Sequence, residues 1–140
     1  MSTVTTFIAR QSEFQTVLGR MHYAYNTLDF AVTNVASADV VQALKIPANA
    51  FVTNVFVVVR TAEGATCTAT VGDGDTANGW DASTDFNATA NTETAGLAGT
   101  DTFATAGKFY AAADTIDFTM NNAAATGKVT IGAIYFMVDA

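Results

Sequence analysis

The stretch from Phe51 to Val71, FVTNVFVVVRTAEGATCTATV, constrains the fold more than any other part of this chain. Its second half alternates strictly: Ala65, Cys67, Ala69 and Val71 point one way, and Thr66, Thr68 and Thr70 the other. A period of two marks a β-strand with one face on a core and one in water. In the first half, Val55-Phe56-Val57-Val58-Val59 is apolar at every position. In an antiparallel sheet such a strand needs cover on both faces, from a second layer or another subunit.

The same period recurs along the chain. Leu28, Phe30 and Val32 alternate with Asp29 and Ala31, and Val40, Gln42, Leu44 and Ile46 share a face. Pro47 to Ala50 reads as a turn, where proline withholds a ladder donor. Ile116, Phe118 and Met120 oppose Thr115, Asp117 and Thr119; a loop follows from Asn121 to Gly127. The last segment sets Val129, Ile131, Ala133, Tyr135 and Met137 against Thr130, Gly132, Ile134, Phe136 and Val138, and its second half is apolar on both faces. Residues 72–107 are polar and weakly periodic, so short strands near Trp80–Phe86 and Thr102–Ala104 are expected among ordered loops. About eight short strands separated by turn chemistry predict an all-β, antiparallel β-sandwich or barrel. Helices do not alternate with strands, which excludes a parallel α/β sheet.

Residues 1–26 differ from the rest. Phe7, Phe14, Val17, Leu18 and Met21 fit one helical face, with Gly19 inside it, whereas Thr3-Val4-Thr5-Thr6 suits an extended arm. Both forms stay open, and the expected organisation is an N-terminal appendage over 1–26 and a sandwich domain over 27–140. Charge divides at the same place. Arg10 and Arg20 against Glu13 leave 1–26 at +1; Lys45, Arg60, Lys108 and Lys128 against twelve acids leave 27–140 at −8, which gives the total of −7. An acidic body repels phosphate backbones and anionic bilayers, so neither nucleic acid nor membrane is an expected partner. The longest apolar run, Ala133 to Val138, falls far short of the roughly 20 residues of a membrane span. The start has no basic region followed by an apolar one, so synthesis in the cytoplasm without a secretory signal is expected. Cys67, the single cysteine, has no intrachain disulfide partner and reads as a small buried hydrophobe.

Catalytic chemistry is hard to assemble from these residues. The loop Gly72-Asp-Gly-Asp-Thr-Ala-Asn-Gly-Trp-Asp81 has the oxygen-rich look of a calcium loop. Against the EF-hand template, however, Ala77 stands at the fifth position, the glycine comes one place late, and no Glu occupies the twelfth. A glycine turn whose aspartates face water and bond their own backbone fits better. His22 is the only histidine and has no nucleophile motif near it; the carboxylates are scattered through loops, without the paired placement of a glycosidase. No catalytic residue, metal or cofactor is therefore expected, and the protein reads as a non-enzyme.

Three motifs carry a resemblance: Ile46-Pro47-Ala48-Asn49-Ala50 before the apolar strand, Thr68-Ala69-Thr70-Val71-Gly72-Asp73-Gly74 with a following Gly79-Trp80, and Tyr110-Ala111-Ala112-Ala113-Asp114-Thr115-Ile116 before the penultimate strand. On these, roughly residues 40–138 resemble bacteriophage head decoration (cement) proteins and related virion proteins. The resemblance implies a jelly-roll-like sandwich that assembles as a homotrimer on the outside of the capsid, with the major capsid protein as partner. Within that frame the doubly apolar strands offer Val55, Val57, Val59, Ile134 and Phe136 as subunit contacts. The N-terminal segment, outside the match, offers Phe7, Ile8, Phe14, Leu18 and Met21 for docking to the shell. A tail or fibre component and a carbohydrate-binding sandwich remain the alternatives, the latter with only Trp80, Tyr23, Tyr25 and Tyr110 as candidate sugar platforms.

Overall fold

A computed structural model describes residues 2–4, 20–95 and 101–138. Among these residues ten strands and one short helix follow in order: β1 Thr3–Val4, β2 Met21–Asp29, β3 Val40–Ile46, β4 Ala50–Thr61, β5 Thr68–Gly72, β6 Asp81–Asp85, β7 Thr92–Ala95, α1 Thr102–Ala106, β8 Lys108–Tyr110, β9 Asp114–Met120 and β10 Lys128–Met137. One sheet has the order β1-β3-β9-β5-β6 and the other β2-β10-β4-β7, with β8 also on β4. The pairings nest like one long hairpin: β5 with β6 innermost, then β4 with β7 and β8, then β3 with β9, and β2 with β10 outermost. Rolling that ribbon over adds the pairs β10–β4 and β9–β5 and closes two antiparallel sheets on each other, which is a jelly roll. β1 is the exception in direction, pairing parallel with the edge of β3.

The inward parity of each strand builds the core. Leu28, Val41, Leu44, Ile46, Val52, Val55, Val57, Val59, Val71, Ile116, Phe118, Val129 and Ile131 lie between the sheets with almost no solvent contact. Phe86 anchors the middle, its ring 5.7 Å from Phe30 and 5.0 Å from Phe118, centroid to centroid. Cys67 is buried among them, as its alternation with Ala69 requires, and burial pushes its thiol up to about 11.

Several expectations change. The two strands of the Phe51–Val71 stretch, neighbours in sequence, lie in opposite sheets, because the chain between β4 and β5 crosses the sandwich. Ala65 lies in that crossing and is exposed. A β-bulge at Ala43 turns both Ala43 and Leu44 inward, so Val40 and Gln42 leave the face they were expected to share with Leu44 and Ile46. Val32 sits beyond the end of β2 and is exposed. Thr102–Ala106 is a helix, capped at its end by Gly107 at φ 75°, where a side chain would be strained. The boundary expected after residue 26 falls inside β2, which belongs to the sandwich throughout its length. No helix among the described residues is long and apolar enough to cross a membrane.

Buried carboxylates fasten the loops to this frame. The Glu63 carboxylate, in the β4–β5 crossing, accepts from the backbone N–H groups of Ala125, Thr126 and Gly127, and the Thr126 hydroxyl donates back to the Glu63 carbonyl. Asp39 accepts from the Ser2 hydroxyl at 2.5 Å and from Ala36 N–H at 2.9 Å, which fixes β1 against β3. These bonds, the Ser2 hydroxyl's first, hold the Asp39 carboxyl below its usual range.

Candidate assembly surface

The outer face of the β2-β10-β4-β8 sheet is built in rows, because directly paired residues in antiparallel strands share a face. The first row runs Met21, Phe136, Phe51 and Phe109 across four strands. The second is Tyr23, Ile134 and Asn54; the third is Tyr25, Gly132 and Phe56. A fourth, Thr27, Thr130 and Val58, is tied by a 2.9 Å hydroxyl–hydroxyl hydrogen bond. The last pairs Asp29 with Lys128 in a 2.9 Å ion pair, which holds the Asp29 carboxyl below its usual range. The face thus grades from aromatic at one end to charged at the other.

The aromatic end packs against itself. Phe51 and Phe136 lie 5.3 Å apart, Tyr23 and Tyr25 5.6 Å, and Tyr23 and Phe56 5.9 Å. Phe56 covers Gly132, where a Cβ would come within 2.5 Å of its ring. Only glycine in the centre of β10 lets that ring lie flat on the sheet. Among the described residues the large exposed apolar side chains are Met21, Tyr23, Tyr25, Val32, Phe109, Phe136 and Val138. Met21, Tyr23, Tyr25, Phe109 and Phe136 all stand on this face, and Val138 extends β10 with the parity of Phe136.

Of the expected subunit contacts, Ile134 and Phe136 are on this face, half-buried and exposed respectively. Val55, Val57 and Val59 are not: they point into the chain's own core, and their neighbours Phe56 and Val58 face outward instead. The reason is a bulge at Thr53, opposite Ile134 and Tyr135, which shifts the parity of β4 midway. Charged Arg60, outward at the end of the strand, is the sequence signal that counts back correctly to Val58 and Phe56. Phe7, Ile8, Phe14 and Leu18 lie outside the described residues, and Met21 opens β2 at 75% exposure. Tyr23, Tyr25 and Phe109 were not legible as one patch, because only the pairing of four strands brings them together.

The acidic loop after β5 serves the fold. Asp73 is buried rather than water-facing, and its carboxylate accepts from Lys108 Nζ at 2.6 Å, the Tyr110 hydroxyl at 2.9 Å, and the N–H groups of Asp75 and Thr76 at 3.0 Å. Burial alone would raise its carboxyl; the Lys108 bond and those donors outweigh that and lower it. Trp80 Nε1 donates to Tyr110 at 3.3 Å, and Phe103 of α1 packs edge-on to Trp80. Trp80 is therefore part of the core wall, unavailable as a sugar platform. Among the described residues no three His, Cys, Asp or Glu side chains converge on a cation position.

No family model matches the chain, and no curated protein matches its sequence. Solved structures do match in fold. A chain of the capsid of Ralstonia phage GP4 superposes with a TM-score of 0.65 at 15% identity, over 99% of both chains. A chain of the cyanophage Pam1 capsid asymmetric unit gives 0.63 at 16%, over 91% of both. A chain of the acid-stable capsid of Helicobacter pylori bacteriophage KHP30 gives 0.58 at 18%, over 91% of this chain and all of the other. At these identities the likeness is one of fold.

Proposed function

We propose that this chain is a structural protein of a bacteriophage virion, a decoration protein that sits on the outer surface of the head and stabilises the shell. The observation that carries the reading is the end-to-end match: three chains from phage capsid structures superpose over 91–99% of this chain and 91–100% of their own. Fold alone does not assign function. The aromatic outer face supplies what a protein that works by assembly needs, and the acidic body keeps its remaining surface soluble. Its partners are the major capsid protein and further copies of itself, as a homotrimer, and its role is structural, without catalysis. Phe7, Ile8, Phe14 and Leu18 are the residues assigned to shell contact, each worth roughly 1.5–3 kcal/mol when buried.

The test is addition of the purified protein to isolated heads that lack it. Saturable co-sedimentation at a fixed copy number per head, together with a higher temperature of head breakage, is the expected result. Failure to bind heads, with binding to tail structures or to immobilised glycans instead, would overturn the assignment. Replacing Phe14 and Leu18 by Asp is expected to abolish head binding while the cooperative melt persists.

A further inference from the structure

We infer that the aromatic end of the β2-β10-β4-β8 face is where copies of this chain contact one another. The inference deepens the decoration reading by giving self-assembly a surface, and it rests on that reading only for the number of copies.

Size is the first argument. The exposed members of the patch are between 36% and 75% solvent-accessible as the chain stands alone. Aromatic side chains of ~150–250 Å² each then present on the order of 500 Å² of apolar surface. Adding half-buried Phe51, Phe56 and Ile134 brings the patch toward the ~800 Å² per partner of a standard protein interface, and to the upper end of what a soluble monomer commonly exposes in one piece.

Charge is the second argument, and it selects the occupant. The chain carries −7, so two copies repel over most of their surfaces. The first three rows of the face contain no charged residue, and the ions of the last row are already paired, Lys128 to Asp29. Copies of an acidic protein can approach through those three rows without bringing like charges together, since outward Arg60 and Glu93, the ladder partner of Val58, lie beyond them. Tyrosine and phenylalanine at the centre, with a charged margin at one end, match the usual division of an interface into apolar core and polar rim.

The third is position. β2 lies at the edge of its sheet, and its outer row of Met21, Tyr23 and Tyr25 continues the patch to that edge. One copy can therefore offer the flat aromatic centre while the next offers the edge row. Such a contact between unlike surfaces closes into a ring if the rotation allows.

The mass of the full-length protein, followed by sedimentation velocity and light scattering from 1 to 100 µM, tests the inference. The wild type is expected to be an oligomer, a trimer on the decoration reading. Tyr23→Asp is expected to weaken association by about 30-fold or more, the effect of losing an interface hot spot. Met21→Glu, at the most exposed of these positions, serves if Tyr23→Asp does not melt cooperatively. Val32→Asp, equally apolar but outside the patch, is expected to leave the mass unchanged. A monomeric wild type at 100 µM overturns the inference, as does an unchanged oligomer in both patch variants. Head binding separates this outcome from the decoration reading: a monomer that binds heads, and loses binding with Tyr23→Asp, assigns the face to the shell and removes self-contact alone. An oligomer broken by the patch variants that binds no heads supports the contact and removes the decoration role.

Discussion

Replacing Lys108 by Met is the most informative single perturbation of the fold. The Lys108–Asp73 pair joins the β5–β6 loop to β8 at 2.6 Å, with side chains 16% and 0% exposed. Lys108 also lies over the rings of Phe103 and Tyr110, 4.4 and 4.9 Å from their centroids. Removing one partner of such a pair leaves the other charge buried, which typically costs 3–5 kcal/mol. Asp73 would keep the Tyr110 hydroxyl and two backbone donors, so the low end applies, about 3 kcal/mol and roughly 10 °C in Tm for a domain of this size. Asp73→Asn on top of Lys108→Met removes the stranded charge and is expected to recover about half of that loss, since neighbours in one network are not additive. Far-UV circular dichroism in urea, at one fixed protein concentration, measures all three proteins.

The acid limb gives an independent check. The folded-state carboxyl of Asp73 is depressed, so its contribution is present above the unfolded value near 3.9 and is lost as pH falls through the lower folded value. Without Lys108, burial is opposed by less, and that carboxyl rises. Protonation then relieves the variant first, and its deficit against wild type should shrink on acidification from pH 7 to pH 4. A variant within 1 kcal/mol of wild type at pH 7, or a double variant less stable than Lys108→Met, would refute the reasoning.

Other outcomes follow from the same geometry. Burial pushes the Asp117 carboxyl up to about 6, with Asp114 and Asp73 adding to the rise. A raised value means a stabilising contribution present below the unfolded pKa and lost as pH climbs through 6, so Asp117→Asn should raise Tm at pH 8 and change little at pH 4. Gly72→Ala would place a Cβ 2.0 Å from the Thr76 carbonyl oxygen, a backbone clash expected to cost about 2 kcal/mol or more in urea unfolding. Cys67 should resist a thiol reagent at pH 8 in the native protein and react fully in denaturant; rapid native labelling would contradict its burial. Chelation should leave Tm unchanged, because the buried Asp73 oxygens already have four donors; a fall in EDTA restored by calcium would show otherwise.

The sequence by itself determined the strongly alternating strands and the class of fold. Alternation in Thr68–Val71, Thr115–Met120 and Val129–Tyr135 is a local property, since side chains one apart on a strand must point to opposite faces. It also determined that β4 and β10 carry apolar side chains on both faces, because Val55–Val59 and Ile134–Val138 have no polar face to give to water. What it left undecided were the quantities that depend on pairing. A bulge at Thr53 or Ala43 is one extra residue relative to a partner strand, so it cannot be counted until that partner is known, and it decides whether Val57 or Phe56 meets solvent. The burial of Asp73 likewise depends on Lys108 arriving from thirty-five residues away. The assembly face belongs to the same class. Met21, Phe136, Phe51 and Phe109 come from four separate strands, and only the rolled hairpin puts them in one row.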